Sequence, residues 1–262
     1  MANKAAAEHA SSGQSTDYSR YNQFMEIVRN RITIRSFDPS YVVPREHYEM
    51  ILEAARHSPS EADAQPWHFI VVTNPGTKNK IADYCVNEQN SRAKLKMKFP
   101  TPDYRGLRTA PGFIVVASDF RWTRAFPVLP DSDTSELARM YVANAERILL
   151  QSVAAATMAA HLAAAALGYN VWWVTLLGQE KAQNALKPIL GVPEDLALLD
   201  IMCFGPPPPD KKPFKRWKKE LNEIVNWERF DVSHYMTLAQ IDDWIKNKRH
   251  LVMYKPASDI RG

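Results

Sequence analysis

The chain is poor in the residues that most often announce a chemistry. It has only two cysteines in 262 residues, Cys85 and Cys203, far apart and in no CxxC pair. That excludes a disulfide scaffold and leaves a zinc ribbon without ligands. Its nine glycines never fall into GxGxxG or GxxxxGKS/T, so the usual dinucleotide fingerprint and the P-loop are missing. Any nucleotide would have to be gripped by side chains. The seven histidines form no HExxH or HxxxH pair, which gives no support to a metal site, and no Gly-x-Ser-x-Gly suggests a serine hydrolase. The first 17 residues, MANKAAAEHASSGQSTD, contain no apolar run of the kind a secretory signal needs; a cytoplasmic location is the expectation. The uncharged run from Ile148 to Gln179 is rich in Ala, carries Gln151 and His161, and is broken by Gly168-Tyr169-Asn170. It does not read as a membrane span.

Charge of one sign is also scarce. With 33 Lys+Arg and 29 Asp+Glu the balance is 33 − 29 = +4. Six cations, Lys211, Lys212, Lys215, Arg216, Lys218 and Lys219, stand within nine residues. Without them the balance is 27 − 29 = −2, so the chain is not a general nucleic-acid binder. The run itself reads as a solvated face, an anion site or, with only Phe214 and Trp217 interleaved, a nucleic-acid patch.

What is present is an alternation of helices and strands. Residues 21–30 and 44–57 read as helices, the second with Tyr48, Ile51, Leu52 and Ala55 on one apolar face. Strands are expected at 67–73, 113–118, 171–176 and 198–204, with helices from Thr77, over 135–167 and over 180–190. Gly168 and Gly191 follow the last two helices as C-caps. From Ala154 to Ala166 nine of thirteen residues are Ala, which suits either a central core helix or a subunit interface. Further helices are expected around Leu221 and after Thr237. Residues 91–111 read as an irregular basic excursion, and 119–135 as an aromatic, Pro-rich loop that is either a substrate lid or a packed surface loop. Strands separated by helices imply an α+β fold, an α/β sandwich.

Four segments carry polar groups in suggestive order. Arg31-Ile32-Thr33-Ile34-Arg35-Ser36-Phe37 sets two arginines and a hydroxyl at alternating positions, which in an extended chain project to one side. They form either a phosphate cradle or a strand-edge set of surface arginines. Ser58-Pro59-Ser60-Glu61-Ala62-Asp63-Ala64-Gln65-Pro66-Trp67 is a rigid loop entering a strand. The third is the strand end from Trp172 to Gly178, and the fourth is Arg216-Trp217-Lys218.

In this order and spacing, RITIRSF, SPSEADAQPWHF, ALGYNVWWVTLLGQEKAQNALKPILGVPED, Phe204-Gly205-Pro206 and the basic segment resemble the FMN-dependent nitroreductase family over about residues 24–230. The resemblance implies a nitroreductase-like central sheet flanked by helices, and a homodimer with FMN at its interface. It implies a small-molecule substrate, NADH or NADPH as donor, and hydride passed through the flavin to a nitroaromatic or quinone-type acceptor. Neither nucleic acid nor membrane is implied. By position, Arg31, Ile32 and Thr33 fall at the FMN phosphate and ribityl end, and Arg35 near the pyrimidine side. Pro59, Ser60 and Asp63 match residues that contact the flavin of the partner subunit. Thr175 and Leu176 match the segment whose backbone N–H faces flavin N5, and Arg216 and Lys218 match a late basic pair on the phosphate. Ile32 replaces a basic residue of the family, and Asp63 stands where Asn is common; an ionised Asp cannot donate a hydrogen bond, so Asp63 either lowers the flavin potential, gives the substrate pocket a catalytic acid/base or cation-seeking group, or points to water.

Tyr104, Trp122 and Phe126 are candidates for substrate contact. Arg92, Lys94, Lys96, Lys98, Arg105 and Arg108 would draw an anionic aromatic in a specialised member, such as a dehalogenase, ene-reductase, dehydrogenase or flavin-fragmenting enzyme. A non-catalytic flavin- or anion-binding protein is the remaining alternative. His68 should point outward from its strand, Trp172 and Trp173 inward, and both cysteines into the core. The expected organisation is a polar, disordered tail over 1–18, an FMN-binding domain over 19–232 and a C-terminal extension over 233–262.

Overall fold

A computed structural model describes residues 17–92, 94–95, 103–126, 133–213 and 218–248. Four strands form one antiparallel sheet: β1 (Trp67–Val72), β2 (Phe113–Ser118), β3 (Asn170–Val174) and β4 (Ala197–Gly205), in the order β1-β2-β4-β3. β2 is central and buried along its whole length. Its residues alternate between two cores: Phe113, Val115 and Ala117 join one, and Ile114 and Val116 join the other. A strand covered on both faces reads as a continuous apolar run, as FIVVAS does.

Helices α2 (Arg45–Arg56) and α5 (Glu136–Ala166) cover one face. There Tyr48, Ile51 and Ala55 meet Val153, Ala156, Ala160 and Ala164 over Ile114, Val116 and Met202. The small Ala side chains let α5 lie close to α2 and the sheet. Among the described residues α5 is the one helix long and apolar enough to cross a bilayer, and half of its most apolar window is buried inside the fold. The other face is covered by α3 (Pro75–Arg92), the single turn α4 (Gly106–Thr109) and α6 (Glu180–Leu190). Ile81, Cys85, Leu107, Leu186, Ile201 and Cys203 pack there. Each fully buried side chain of this size contributes about 1.5–3 kcal/mol. The result is an α+β sandwich of helix, sheet and helix. α1 (Ser19–Asn30) precedes it, and α7 (Leu238–Asn247) lies in the C-terminal part.

Three expectations shift. The region 91–111 is not wholly irregular: α3 runs to Arg92 and α4 supplies a further turn at 106–109, while 93 and 96–102 lie outside the described residues. A helix is expected from Thr77, but the periodicity of α3 is blurred because its buried positions include Glu88, which takes an ion pair from Lys181 at 3.1 Å. The third strand ends at Val174, two residues early, because its ladder with β4 stops at the Val174–Ile201 pair. The 119–135 loop opens with a 3-10 helix, Phe120–Ala125, and 127–132 lie outside the described residues. Residues 1–16 of the expected tail are also outside them, as are 249–262.

Candidate functional site

The arginine segment lies where the sheet has a free edge. After α1, Val171 N–H donates to the Ile32 carbonyl and Ile34 N–H donates to the Val171 carbonyl, both at 3.0 Å. Thr33 and Val171 thus make one parallel bridge, and residues 31–34 add a fragment of a fifth strand beside β3. Arg31 Nη1 donates to Thr33 Oγ1 at 3.5 Å, so these two side chains share a side. Arg35 does not join them, which corrects the expectation of one array. The chain bends at Arg35, and its guanidinium sits 6.0 Å from the centre of the Trp172 ring. Arg31 instead lies near His161 of α5, whose ring stacks on Trp173 at 5.2 Å. Trp172 and Trp173 point to opposite faces of β3, so the two arginines diverge around its edge.

Electrostatics at this edge are unbalanced. Arg35 Nε is buried and has no hydrogen-bond partner. Both ring nitrogens of His161 are in the same state; burial, with the Arg31 charge adding to it, holds the imidazole down to about 3. Buried polar groups without partners cost roughly 1–3 kcal/mol each, so such groups call for an explanation. An anion at this edge would give the Arg35 guanidinium one.

The second segment enters the sheet at its other end. In loop 58–66 three non-glycine residues have positive φ: Ala62 at 52°, Asp63 at 49° and Gln65 at 44°. Left-handed backbone at L-residues costs about 1–2 kcal/mol apiece, and such strain collects at ligand sites. The loop is held by its own hydrogen bonds, Gln65 N–H to Ser60 Oγ at 3.0 Å and Gln65 Nε2 to Asp63 Oδ1 at 2.9 Å. It is also held from outside. Glu61 N–H donates to Ser152 Oγ of α5, and Asp119 N–H to the Pro66 carbonyl at 2.8 Å. Ala64 packs with Phe126, Ala145 and Leu149. Pro59 and Asp63 are exposed and Ser60 is half-buried.

Thr175 and Leu176 follow β3. Thr175 is exposed and Leu176 is buried, and Gln183 Nε2 holds the turn by donating to the Leu177 and Leu198 carbonyls at 2.6 and 2.7 Å. The Thr175 end of β3 lies on the same side of the sheet as the start of β1, into which loop 58–66 leads. From Val171, opposite Thr33, to Thr175 is four residues, roughly 13 Å of strand. Lys218 is exposed; Arg216 lies outside the described residues.

The substrate candidates take different positions. Tyr104 is buried and stacked on Trp172 at 5.8 Å. Phe126 is buried against Ala64 and Leu149, whereas Trp122 is about half exposed. Arg105 and Arg108 are neutralised by Asp103 and Asp83 at 2.7 and 2.8 Å, so they add little net attraction for an anion. Lys96 and Lys98 lie outside the described residues. His68 is exposed, and Trp172 and both cysteines are in the core. Sequence reasoning missed His161 as a neighbour of Arg31, and it missed the left-handed backbone at 62–65, where no glycine signals it.

The sequence model of the Nitroreductase family matches residues 28–206. A putative NADH dehydrogenase/NAD(P)H nitroreductase of Archaeoglobus fulgidus is 27% identical over 187 residues, 71% of this chain and 87% of that protein. The putative NAD(P)H nitroreductase YdgI of Bacillus subtilis is 44% identical over 61 residues, 23% of this chain. The match spans only 29% of YdgI. Among solved structures, an FMN-dependent nitroreductase of Clostridium difficile shares the fold with a TM-score of 0.55 at 18% identity, over 79% of this chain and 99% of that one.

Proposed function

The chain belongs to the Nitroreductase family, and from that premise we propose that it is an NAD(P)H-dependent FMN oxidoreductase. Its acceptor is a small aromatic or conjugated molecule of the nitroaromatic or quinone type. The observation that carries the reading is the edge of β3. Residues 31–34 pair beside Val171, Arg31 meets Thr33, and Arg35 carries a buried, unpartnered Nε over Trp172. These groups suit a phosphate at one point and an electron-rich ring at another. When bound, FMN supplies a reversible two-electron centre that accepts hydride from the donor and delivers electrons to the acceptor.

The chain's own residues have binding and electrostatic work. Arg31 and Thr33 would hold the phosphate by charge-assisted hydrogen bonds, with Lys218 and Arg216 as further cations for it. The Ile32 side chain offers no polar contact there. Arg35 would place fixed positive charge beside the flavin, which favours the reduced, anionic form. The backbone at Thr175 and Leu176 would face the reactive edge. Pro59, Ser60 and Asp63 would lie against the flavin of the second copy in a homodimer, their backbone held in shape by Ser152 and Phe126. An ionised Asp63 beside that flavin would oppose Arg35 and lower the potential.

Apolar side chains left exposed on one copy support the dimer: Tyr21 and Phe24 on α1, Leu137 and Met140 on α5, and Trp227 in the C-terminal part. Residues 19–232 would form the catalytic domain and 233–262 an extension, and we place the protein in the cytoplasm. The test is stopped-flow reduction of the flavin-loaded protein by NADH and NADPH, followed by reoxidation with nitroaromatics, quinones and enones. The reading expects fast reduction by a nicotinamide and reoxidation fastest with one acceptor class. No reduction by either nicotinamide would refute it.

A further inference from the structure

The fold holds a cavity of about 820 Å³ between the start of α2, the loop before it and the C-terminal end of β1. Its lining includes none of Arg31, Thr33, Arg35, Thr175 and Leu176, the residues given to the flavin. Its volume lies in the range of small-molecule pockets, roughly 300–1,000 Å³. The walls are apolar and aromatic: Tyr41, Tyr48, Leu52, Val71 and Pro111 line it. Val71 is 39% exposed and Val42, also on the wall, 81%. Both valines leave apolar surface open at one hollow, which an apolar ligand there would cover.

The polar groups of the cavity are few and unequal. Arg45 and Glu49, both exposed, stand at 2.7 Å and cancel. Lys78 does not cancel. Its Nζ donates one hydrogen bond, to the Ala110 carbonyl at 2.7 Å, and among the described ion pairs none includes it. Burial lowers the affinity of this ammonium for its proton, the mark of a cation that has lost water without gaining an anion. The lining therefore has one excess positive charge beside an aromatic wall.

We propose that this cavity binds an amphipathic monoanion, an aromatic or branched apolar body carrying one carboxylate, with Lys78 as the anchor for the carboxylate and Tyr41, Tyr48 and Val71 covering the body. The inference goes beyond the flavin reading and does not depend on it. A charge-assisted hydrogen bond from a half-buried ammonium discriminates a carboxylate from a neutral isostere, whereas apolar cover alone does not.

The probe is 2-naphthoate, titrated calorimetrically into flavin-saturated protein while the flavin spectrum is recorded. The expected result is one naphthoate per chain with an undisturbed flavin spectrum. Lys78→Met should weaken it at least tenfold, and Lys78→Arg should restore most of the affinity. Val71→Glu, which leaves the Lys78 hydrogen bond in place, should weaken it comparably by setting a carboxylate in the cavity. Neutral 2-acetylnaphthalene should bind wild type and Lys78→Met alike. No saturable binding, equal affinity in wild type and both Lys78→Met and Val71→Glu, or naphthoate that perturbs the flavin would each overturn the proposal.

Discussion

At the scale of single residues, the molecule places a few groups at a cost that a ligand or a neighbour must offset. Gly106 is one: a Cβ there would collide with the Arg35 carbonyl oxygen, so α4 sets how closely the arginine segment can approach Trp172. Gly106→Ala should cost about 1–3 kcal/mol, as overpacking does, and displace Arg35; urea unfolding and flavin retention measure the two effects. Asp200 is another. Burial pushes its carboxyl up to about 6, against about 3.9 in an unfolded chain. Between those values the unfolded chain has lost the proton that the fold keeps, so stability falls as pH rises from about 4 to about 6 and levels off above. Asp200→Asn should abolish that fall, and melting temperatures taken from pH 4 to 7 for both proteins will show whether the curves diverge there. The Arg31–Thr33 pairing was legible, because alternation in an extended segment brings i and i+2 to one side. The departure of Arg35 was not, because no glycine or proline in 31–37 marks the bend. His161 was not either: a single histidine in an alanine run carries no sign of which aromatic or arginine it will meet.

At the scale of elements, the strands were the easiest to read. FIVVAS at 113–118 is apolar throughout because helices cover both of its faces, and its limits follow from Gly112 and Asp119. The long helix was equally plain, closing at Gly168 with φ of 86°, where a left-handed residue ends the turn. The extent of α3 was harder, since Glu88 sits on its buried side and a buried carboxylate reads as solvent-facing until Lys181 is known to reach it. Loop 58–66 was legible as rigid, from its two prolines, but not as strained. Ala62 occupies left-handed backbone without glycine's freedom, so Ala62→Gly should raise stability by about 1 kcal/mol. Retention of flavin should fall in the same variant if the stiffness of the loop serves binding; thermal unfolding and flavin content after gel filtration separate the two.

At the scale of the whole molecule, the single chain leaves apolar surface open beside its folded core. The loop at 58–66 and the β3 edge are both built, yet broad apolar surface on α1, the start of α5 and the C-terminal part stays open. In the proposed homodimer a second copy would cover that surface, and sedimentation should give twice the chain mass, reverting toward a single chain for Tyr21→Asp combined with Phe24→Asp. The order of the motifs made the family legible; which faces would remain uncovered depends on tertiary packing that no local pattern records. The central claim, that the arginine segment beside β3 holds the flavin phosphate, is tested most directly by titrating apoprotein with FMN and with riboflavin, for wild type and Arg31→Ala. The account predicts that wild type prefers FMN and that Arg31→Ala loses roughly 10- to 100-fold for FMN, the worth of a charge-assisted hydrogen bond of about 1.5–3 kcal/mol, while riboflavin affinity hardly changes. Equal affinities of wild type and Arg31→Ala for FMN would contradict it.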